Sequence, residues 1–250
     1  MKKQILSIVI TALCFATGFA QGNVSNDPFD VQMRFYKSAL KNYDLQAATV
    51  ALYNMQALKP ERTDLSDSLA FLYFAGERYA QAYIIGEEIV KADPKRMDML
   101  ELVAVSKQSL GLIKEALSDY EKLYAQEKLV YYLYQIATLQ YQLKRYGECI
   151  ASLDQIIVSP DAEKQKVNIR MQGGSQDVVM KAAALNVKGI CAMELNQEEV
   201  AKDNFNKALQ LAPDFVLAKG NLDLINKKAA PAKTATPAKP STTTSKPATK

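Results

Sequence analysis

The sequence predicts an all-α solenoid of about five helix-turn-helix units, because small residues return with a period of about 34 residues. In four successive units one small residue is followed by a second one 12 positions later: Ala70 and Ala82, Ala104 and Ala116, Ala137 and Cys149, Gly189 and Ala201. Prolines mark unit ends, since Pro60 and Pro94 lie 34 residues apart and Pro213 closes the last unit. Self-similarity at this period is typical of stacked helical repeats.

The apolar residues within each unit have the spacing of an amphipathic helix. One stripe, at intervals of three and four, consists of Leu117, Tyr120, Leu123 and Tyr124. A single unit cannot bury such a stripe, so stacked neighbours must supply the core. The turns inside the units are expected at Gly76, Gly111, Lys144 and Asn196.

The last unit, from Ala182 to Phe215, resembles a tetratricopeptide repeat (TPR). Its residues at the family's fourth, eighth, twentieth, twenty-fourth, twenty-seventh and thirty-second positions are Leu185, Gly189, Ala201, Phe205, Ala208 and Pro213. The same frame fits three upstream units, while the first is degenerate because Tyr36 occupies the small eighth position. The resemblance covers roughly Pro28 to Leu224 and implies a right-handed TPR solenoid that binds other proteins and is not an enzyme.

Two segments depart from the plain repeat. Pro213 to Ile225 has Phe215, Ala218 and Leu222 on one face, which predicts a capping helix. About 18 extra residues precede the last unit, and residues 166–171 alternate polar and apolar before Gly173 and Gly174. This pattern indicates a β-hairpin-like insertion at about 161–180. Its second arm could equally be the start of the next helix, and the insertion could contact a partner or cover the seam between units.

The amino end has the pattern of a signal peptide over residues 1–20. Lys2 and Lys3 precede an apolar stretch, and Gly18 and Ala20 are the small residues that a signal peptidase needs. Cleavage near Ala20 would make the chain an exported protein, periplasmic or secreted. A lipid anchor at Cys14 is the alternative, although Leu13 stands where a small residue is expected.

Charge divides unevenly between the solenoid, residues 21–226, and the tail, residues 227–250. The net charge is +4, of which the two signal-peptide lysines and the six tail lysines contribute +8, leaving −4 for the solenoid. The Ala, Pro, Lys, Thr and Ser composition of the tail predicts disorder. The tail is expected to be a solubilising tether, or alternatively to contact an anionic envelope surface weakly. Nucleic-acid binding is not expected, because the basic residues lie outside the folded part.

The composition argues against catalysis, cofactors and metal binding. The chain has no histidine, which removes Ser-His and Cys-His nucleophilic arrangements and histidine metal ligands. Gly173 and Gly174 lack the downstream residues of a phosphate loop. After signal cleavage only Cys149 and Cys191 remain; both are expected inside their helix pairs, and whether they are bridged is open.

The TPR resemblance implies a partner-binding groove lined by first-helix residues at the second, fifth, ninth, twelfth and thirteenth positions. The residues of this sequence at those positions are Asp64, Asp67, Phe71, Phe74, Asp98, Glu101, Gln108, Tyr131, Tyr134, Thr138, Tyr141, Asn186, Ile190 and Met193. Family members that clamp a terminal carboxylate place Lys at the fifth position and Asn at the ninth. The fifth positions here hold Met33, Asp67, Glu101, Tyr134 and Asn186, which argues against that ligand.

An acidic patch beside a tyrosine-rich one suggests a partner segment with basic and apolar residues. Lys or Arg of the partner would meet Asp64, Asp67, Asp98 or Glu101, and apolar residues would meet Tyr131, Tyr134 and Tyr141. These residues could instead be solvated carboxylates and packing tyrosines. The predicted function is a non-catalytic interaction scaffold of the cell envelope. The alternatives are a structural subunit of an envelope assembly that uses the solenoid edges and the hairpin, and, more weakly, polysaccharide binding.

Overall fold

The computed structural model describes residues 25–171 and 173–229, and these form twelve helices and one β-hairpin. The predicted signal peptide and most of the predicted tail lie outside the described residues. Five helix pairs form units 1 to 5: α1 (Pro28–Lys41) and α2 (Leu45–Leu58), α3 (Asp64–Ala75) and α4 (Tyr79–Ala92), α5 (Met97–Ser109) and α6 (Ile113–Glu127), α7 (Val130–Gln142) and α8 (Tyr146–Val158), α10 (Met180–Glu194) and α11 (Glu198–Leu211). The short α9 (Asp161–Lys164) and strands β1 (Lys166–Met171) and β2 (Gly174–Val179) separate units 4 and 5, and α12 (Val216–Ala229) follows unit 5.

The turn inside every unit has the same backbone conformation. One residue in each of these turns has a positive φ, between 57° and 78°: Tyr43, Glu77, Gly111, Lys144 and Asn196. The next residue donates its N–H to the carbonyl oxygen five positions earlier, as Arg78 does to Tyr73 at 2.8 Å. This bond is that of a Schellman motif, which satisfies carbonyl groups left open at a helix end. In unit 2 the left-handed residue is Glu77, one position after the predicted Gly76.

Small residues bring the two helices of each unit together, as the sequence predicted. The second-helix residues of this kind are all 0% exposed: Ala48, Ala82, Ala116, Cys149 and Ala201. In unit 5 the contact is closest at Gly189, where an added Cβ would lie 2.5 Å from the Phe205 ring. The absence of a side chain at this position therefore determines how closely α10 and α11 approach.

The units stack so that the first helix of each pair lies on the inner side of the solenoid. Each second helix packs on the first helix of the next unit. First helices also contact one another, as α3 does α5 and α7 does α10, whereas no contact as extensive joins second helices of neighbouring described units. The surface that the first helices share is therefore the inner wall of the solenoid.

The insertion before unit 5 is an antiparallel β-hairpin, which settles the open question about its second arm. Residues pair from Lys166 with Val179 to Met171 with Gly174. Gly173 in the turn has a φ of +90°, a conformation that glycine adopts without a steric penalty. Val167 and Val178 face the apolar core around unit 5.

One side chain fastens this hairpin to the capping helix. The Gln176 amide donates to the Asp214 carbonyl oxygen at 2.8 Å and accepts from the Val216 N–H at 3.1 Å. Phe215 and Ile225 are at most 2% exposed, so the carboxyl end of the solenoid is covered as predicted. Helix α12 continues to Ala229, three residues beyond the predicted end of the solenoid at residue 226. No helix of residues 25–229 has the length and apolar character needed to cross a membrane.

Replacing Gly189 by Ala should destabilise the protein by about 1–3 kcal/mol, because the new methyl group would overlap a buried ring that cannot move aside. Urea unfolding followed by circular dichroism measures this change. Gly220→Ala in α12 is the matched control, since an added Cβ there meets nothing within 4 Å. That variant should gain about 0.5–1 kcal/mol from better helix propensity. Equal stability of the two variants would contradict the close packing of Phe205 on Gly189.

Candidate functional site

The candidate site is the inner wall formed by α3, α5, α7 and α10. Partly exposed side chains on this wall define what we call the groove: Phe71, Glu101, Gln108, Tyr131, Thr138, Tyr141, Ile190 and Met193. All of them belong to the predicted set. The helices that carry these side chains pack through their opposite faces on the second helices, which support the wall.

Three residues predicted to face a partner lie in the interior instead. Phe74 packs edge-on against Tyr79, with ring centroids 5.8 Å apart. Tyr134 is 8% exposed and belongs to the apolar core of units 4 and 5. Asn186 is 3% exposed and accepts a hydrogen bond from Asn221 of α12 at 3.1 Å. These three side chains stabilise neighbouring helices, and a bound segment would not reach them without rearrangement of the core.

The predicted acidic patch is largely neutralised by two arginines of the chain itself. Arg62 donates to both carboxylate oxygens of Asp64, at 2.7 and 2.6 Å. Arg96 does the same to Asp98, at 2.9 and 2.8 Å, and also reaches Asp67 at 3.0 Å. Hydrogen bonds from these arginines lower the pKa values of Asp64 and Asp98. All three aspartates therefore already have an arginine partner.

The ion pairs of these two arginines were not predicted, although the sequence contains a signal for them. Arg62 and Asp64 recur 34 residues later as Arg96 and Asp98, at the same place in the next unit. A repeated Arg-x-Asp before the start of a helix indicates a local ion pair, because the two side chains can meet across one turn. Comparison of the units for charge as well as for small residues would have found it.

Glu101 differs from the aspartates, because it makes no ion pair with any described residue. Its carboxylate accepts a hydrogen bond from the Tyr132 hydroxyl at 3.1 Å. Burial, assisted by the nearby negative charge of Glu127, raises the pKa of Glu101 although the Tyr132 bond acts in the opposite direction. The Tyr132 side chain is buried, but its hydroxyl reaches Glu101 in the groove.

Tyrosines surround this carboxylate on the wall between units 3 and 4. The Tyr132 ring lies 5.6 Å from that of Tyr131 and 6.3 Å from that of Tyr120, centroid to centroid. The Tyr120 hydroxyl donates to the Gln108 side-chain oxygen at 3.2 Å. Burial raises the pKa values of Tyr131 and Tyr132, so their hydroxyl groups stay protonated at neutral pH. The result is an aromatic surface with one negative charge in it.

A second aromatic cluster lies further along the groove, between units 4 and 5. The rings of Tyr141 and Tyr146 are 5.9 Å apart, and the Tyr146 hydroxyl points to Glu194 at 3.4 Å. Met193 lies on the same helix as Glu194, one position earlier. Among the described residues no group of three His, Cys, Asp or Glu side chains could hold a metal ion. The chemistry that this surface offers is apolar and aromatic contact with a few hydrogen bonds.

Solved structures share this fold, while no protein-family profile and no curated protein matches the chain. The structure of YrrB, a TPR protein with an unusual peptide-binding site, is 16% identical, with a TM-score of 0.59, 81% of this chain and 92% of that chain covered. A MamA structure is 12% identical with a TM-score of 0.58, covering 75% and 93%. MamA of Desulfovibrio magneticus RS-1, from residue 41, is 11% identical with a TM-score of 0.58, covering 78% and 99%. This likeness confirms the predicted TPR fold.

The raised pKa of Glu101 makes its effect on stability depend on pH. The folded protein retains the proton at pH values where the unfolded chain has lost it, so stability falls as pH rises through this range. Glu101→Gln keeps the oxygen that accepts from Tyr132 and removes the charge. We therefore expect the variant to be more stable than the wild type at pH 8, with the difference shrinking toward pH 4.

Urea unfolding of both proteins at several pH values measures this difference. Glu88→Gln, on the exposed face of α4, controls for the general effect of removing one negative charge. The prediction would be contradicted if the stability gain of Glu101→Gln were the same at every pH. A variant less stable than the wild type at pH 8 would also contradict it.

Proposed function

We propose that the chain is a non-catalytic interaction scaffold that binds a segment of a partner protein in the groove. The groove combines a rigid wall, aromatic side chains that are partly exposed, and a carboxylate without a counter-ion. Tyrosines of this kind supply large contact area and a polar tip at a small cost in conformational entropy. The fold supports the proposal, since one structure that shares it, YrrB, is described as having a peptide-binding site.

The observation that carries the proposal furthest is the position of Glu101. A carboxylate that is half removed from water without a basic partner is unfavourable for the isolated protein. A Lys or Arg side chain of a bound segment would compensate this charge, and its apolar stem would lie along the partly exposed Tyr131 ring. The groove-side aspartates are weaker candidates for contact with a basic ligand residue, because they already form ion pairs within the chain. Arg62 pairs with Asp64, and Arg96 pairs with Asp67 and Asp98.

The partner proposed here is therefore a segment with one basic residue next to apolar ones. Its apolar residues would contact Phe71 on one side of Glu101 and Tyr141 and Met193 on the other. The predicted signal peptide supports a place outside the cytoplasm, so we further propose that this partner is a protein of the cell envelope. The lysine-rich tail would keep the scaffold soluble near an anionic surface, or contact that surface weakly.

Binding should depend on Glu101 and Tyr141. With envelope extract as the source of partners, the wild type should retain proteins that Glu101→Gln and Tyr141→Ser each lose. Once a retained partner is identified, its affinity for Glu101→Gln should be about 10-fold lower, the typical effect of removing one charge-assisted contact. Binding should also weaken as salt concentration rises, because salt screens the contact with the basic residue.

Glu88→Gln and Tyr43→Ser are the matched controls, since both residues are exposed away from the groove and both changes have the same chemistry. Circular dichroism should show equal helicity for all variants. Partners that every variant retains would place the interface elsewhere on the chain and overturn the groove proposal.

A second candidate, a structural subunit of a larger assembly, is favoured by the exposed end of unit 1. Val31 and Phe35 of α1 are 41% and 48% exposed, and Leu58 of α2 is 47% exposed. Val31 and Leu58 line one hollow between α1 and α2 that no other described helix covers. The opposite end of the described solenoid is covered by α12, whereas no described helix precedes α1. An adjacent subunit could cover the exposed end of unit 1.

If unit 1 is an assembly face, the purified protein should form larger species at micromolar concentration, and Phe35→Ser should convert them to monomers. Light scattering after size-exclusion chromatography measures the mass directly. Tyr43→Ser, at a residue 75% exposed in the first turn, is the control and should leave the mass unchanged. A wild type that stays monomeric at all concentrations would leave self-assembly through this face without support.

A further inference from the structure

The two cysteines of the described chain lie against each other across the joint between units 4 and 5. Cys149 is on α8 and Cys191 is on α10, and their sulfur atoms are 3.5 Å apart. Both are free thiols and both are 0% exposed. No comparable pair exists at the other joints of the described solenoid, where Ala occupies the position equivalent to Cys149.

We propose that Cys149 and Cys191 are the site of a disulfide that covalently links unit 4 to unit 5. The two sulfurs need to approach by about 1.5 Å to reach the roughly 2.05 Å of an S–S bond. Rotation about the two Cα–Cβ bonds is the movement that would bring the sulfurs together.

The oxidant is a disulfide, either that of oxidised glutathione or that of a thiol-disulfide exchange protein. One cysteine thiolate attacks it to give a mixed disulfide, and the second cysteine thiolate then attacks the mixed disulfide. One S–S bond forms in the chain, two S–H bonds are lost, and two electrons reduce the oxidant to two thiols. The two protons pass through solvent to the departing thiolates.

Burial determines when this reaction takes place. In the folded chain neither sulfur is reachable, so the exchange must occur while the α8–α10 joint is still open during folding. After the joint closes, the same burial protects the bond from reductants. The step therefore needs an oxidising compartment at the time of folding, which the proposed export of the chain would provide.

The position of the bond explains what it would stabilise. Units 4 and 5 are joined in sequence by the insertion, so the link closes a long loop that contains α9 and the hairpin. Closing a long loop restricts the unfolded chain more than closing a short one. Tyr141 and Tyr146 pack against the same core cluster as both cysteines, so the bond would also fix the wall of the groove beneath them.

The test uses the full chain with Cys14→Ser, so that the two buried residues are the remaining cysteines. The reduced, unfolded protein is refolded in a glutathione buffer and, in parallel, with dithiothreitol. We expect the first sample to resist alkylation after denaturation and to yield a peptide pair joined through Cys149 and Cys191. Its Tm should exceed that of the reduced sample by about 5–15 °C.

Cys149→Ala in the same background is the matched control, because Ala is the residue that the other units carry at this position. Its Tm should not respond to the redox buffer. Two thiols that alkylate fully after refolding in the glutathione buffer would overturn the proposal, and so would a disulfide that joins only separate molecules. Either result leaves the groove proposal untouched, since binding is measured independently.

Discussion

The close approach of helix backbones at small residues is the constraint on which this structure depends. At Gly86 an added Cβ would lie 2.7 Å from a Val103 methyl group, and at Gly189 it would lie 2.5 Å from the Phe205 ring. The first contact joins units 2 and 3, and the second lies within unit 5. Protein interiors cannot absorb such overlaps by local compression. Because each unit is positioned only by its neighbours, an error at one of these contacts would be passed to every later unit and would move the groove wall.

The joint between units 2 and 3 adds a charged contact to this packing. The Lys107 ammonium group is 2.7 Å from Asp119 and 3.0 Å from Glu87, and it lies 5.1 Å from the centre of the Tyr83 ring. Burial alone would lower the pKa of Lys107, but the hydrogen bonds to the two carboxylates outweigh it and raise the pKa. Since desolvation offsets most of the Coulomb attraction, such a network contributes little net stability. It connects α4, α5 and α6 in one register, because any shift would leave a buried charge unpaired.

The sequence predicted the parts of the fold that local chemistry determines. The unit boundaries, the capping helix and the hairpin all follow from short-range patterns of small, apolar and turn residues. The faces of α7 were not predictable in the same way. Val130, Tyr131, Tyr132, Leu133 and Tyr134 are consecutive and apolar, so helical periodicity selects no outer face. Tyr134 was assigned to the groove, whereas packing against unit 5 buries it, and the insertion that positions unit 5 has no counterpart in the repeat.

The pairing of charged side chains was the second feature that the sequence composition could not predict. The sequence shows that the solenoid is mildly acidic, but not which carboxylates already have partners. Exposed ion pairs such as Arg62 with Asp64 contribute little to stability, so a basic ligand could displace an arginine at a small cost, but it would gain equally little. At Glu101 nothing has to be displaced, and the low polarity around the tyrosines strengthens a new contact. Selectivity for a partner would therefore come from the alignment of one basic residue with the aromatic wall and would depend little on total charge.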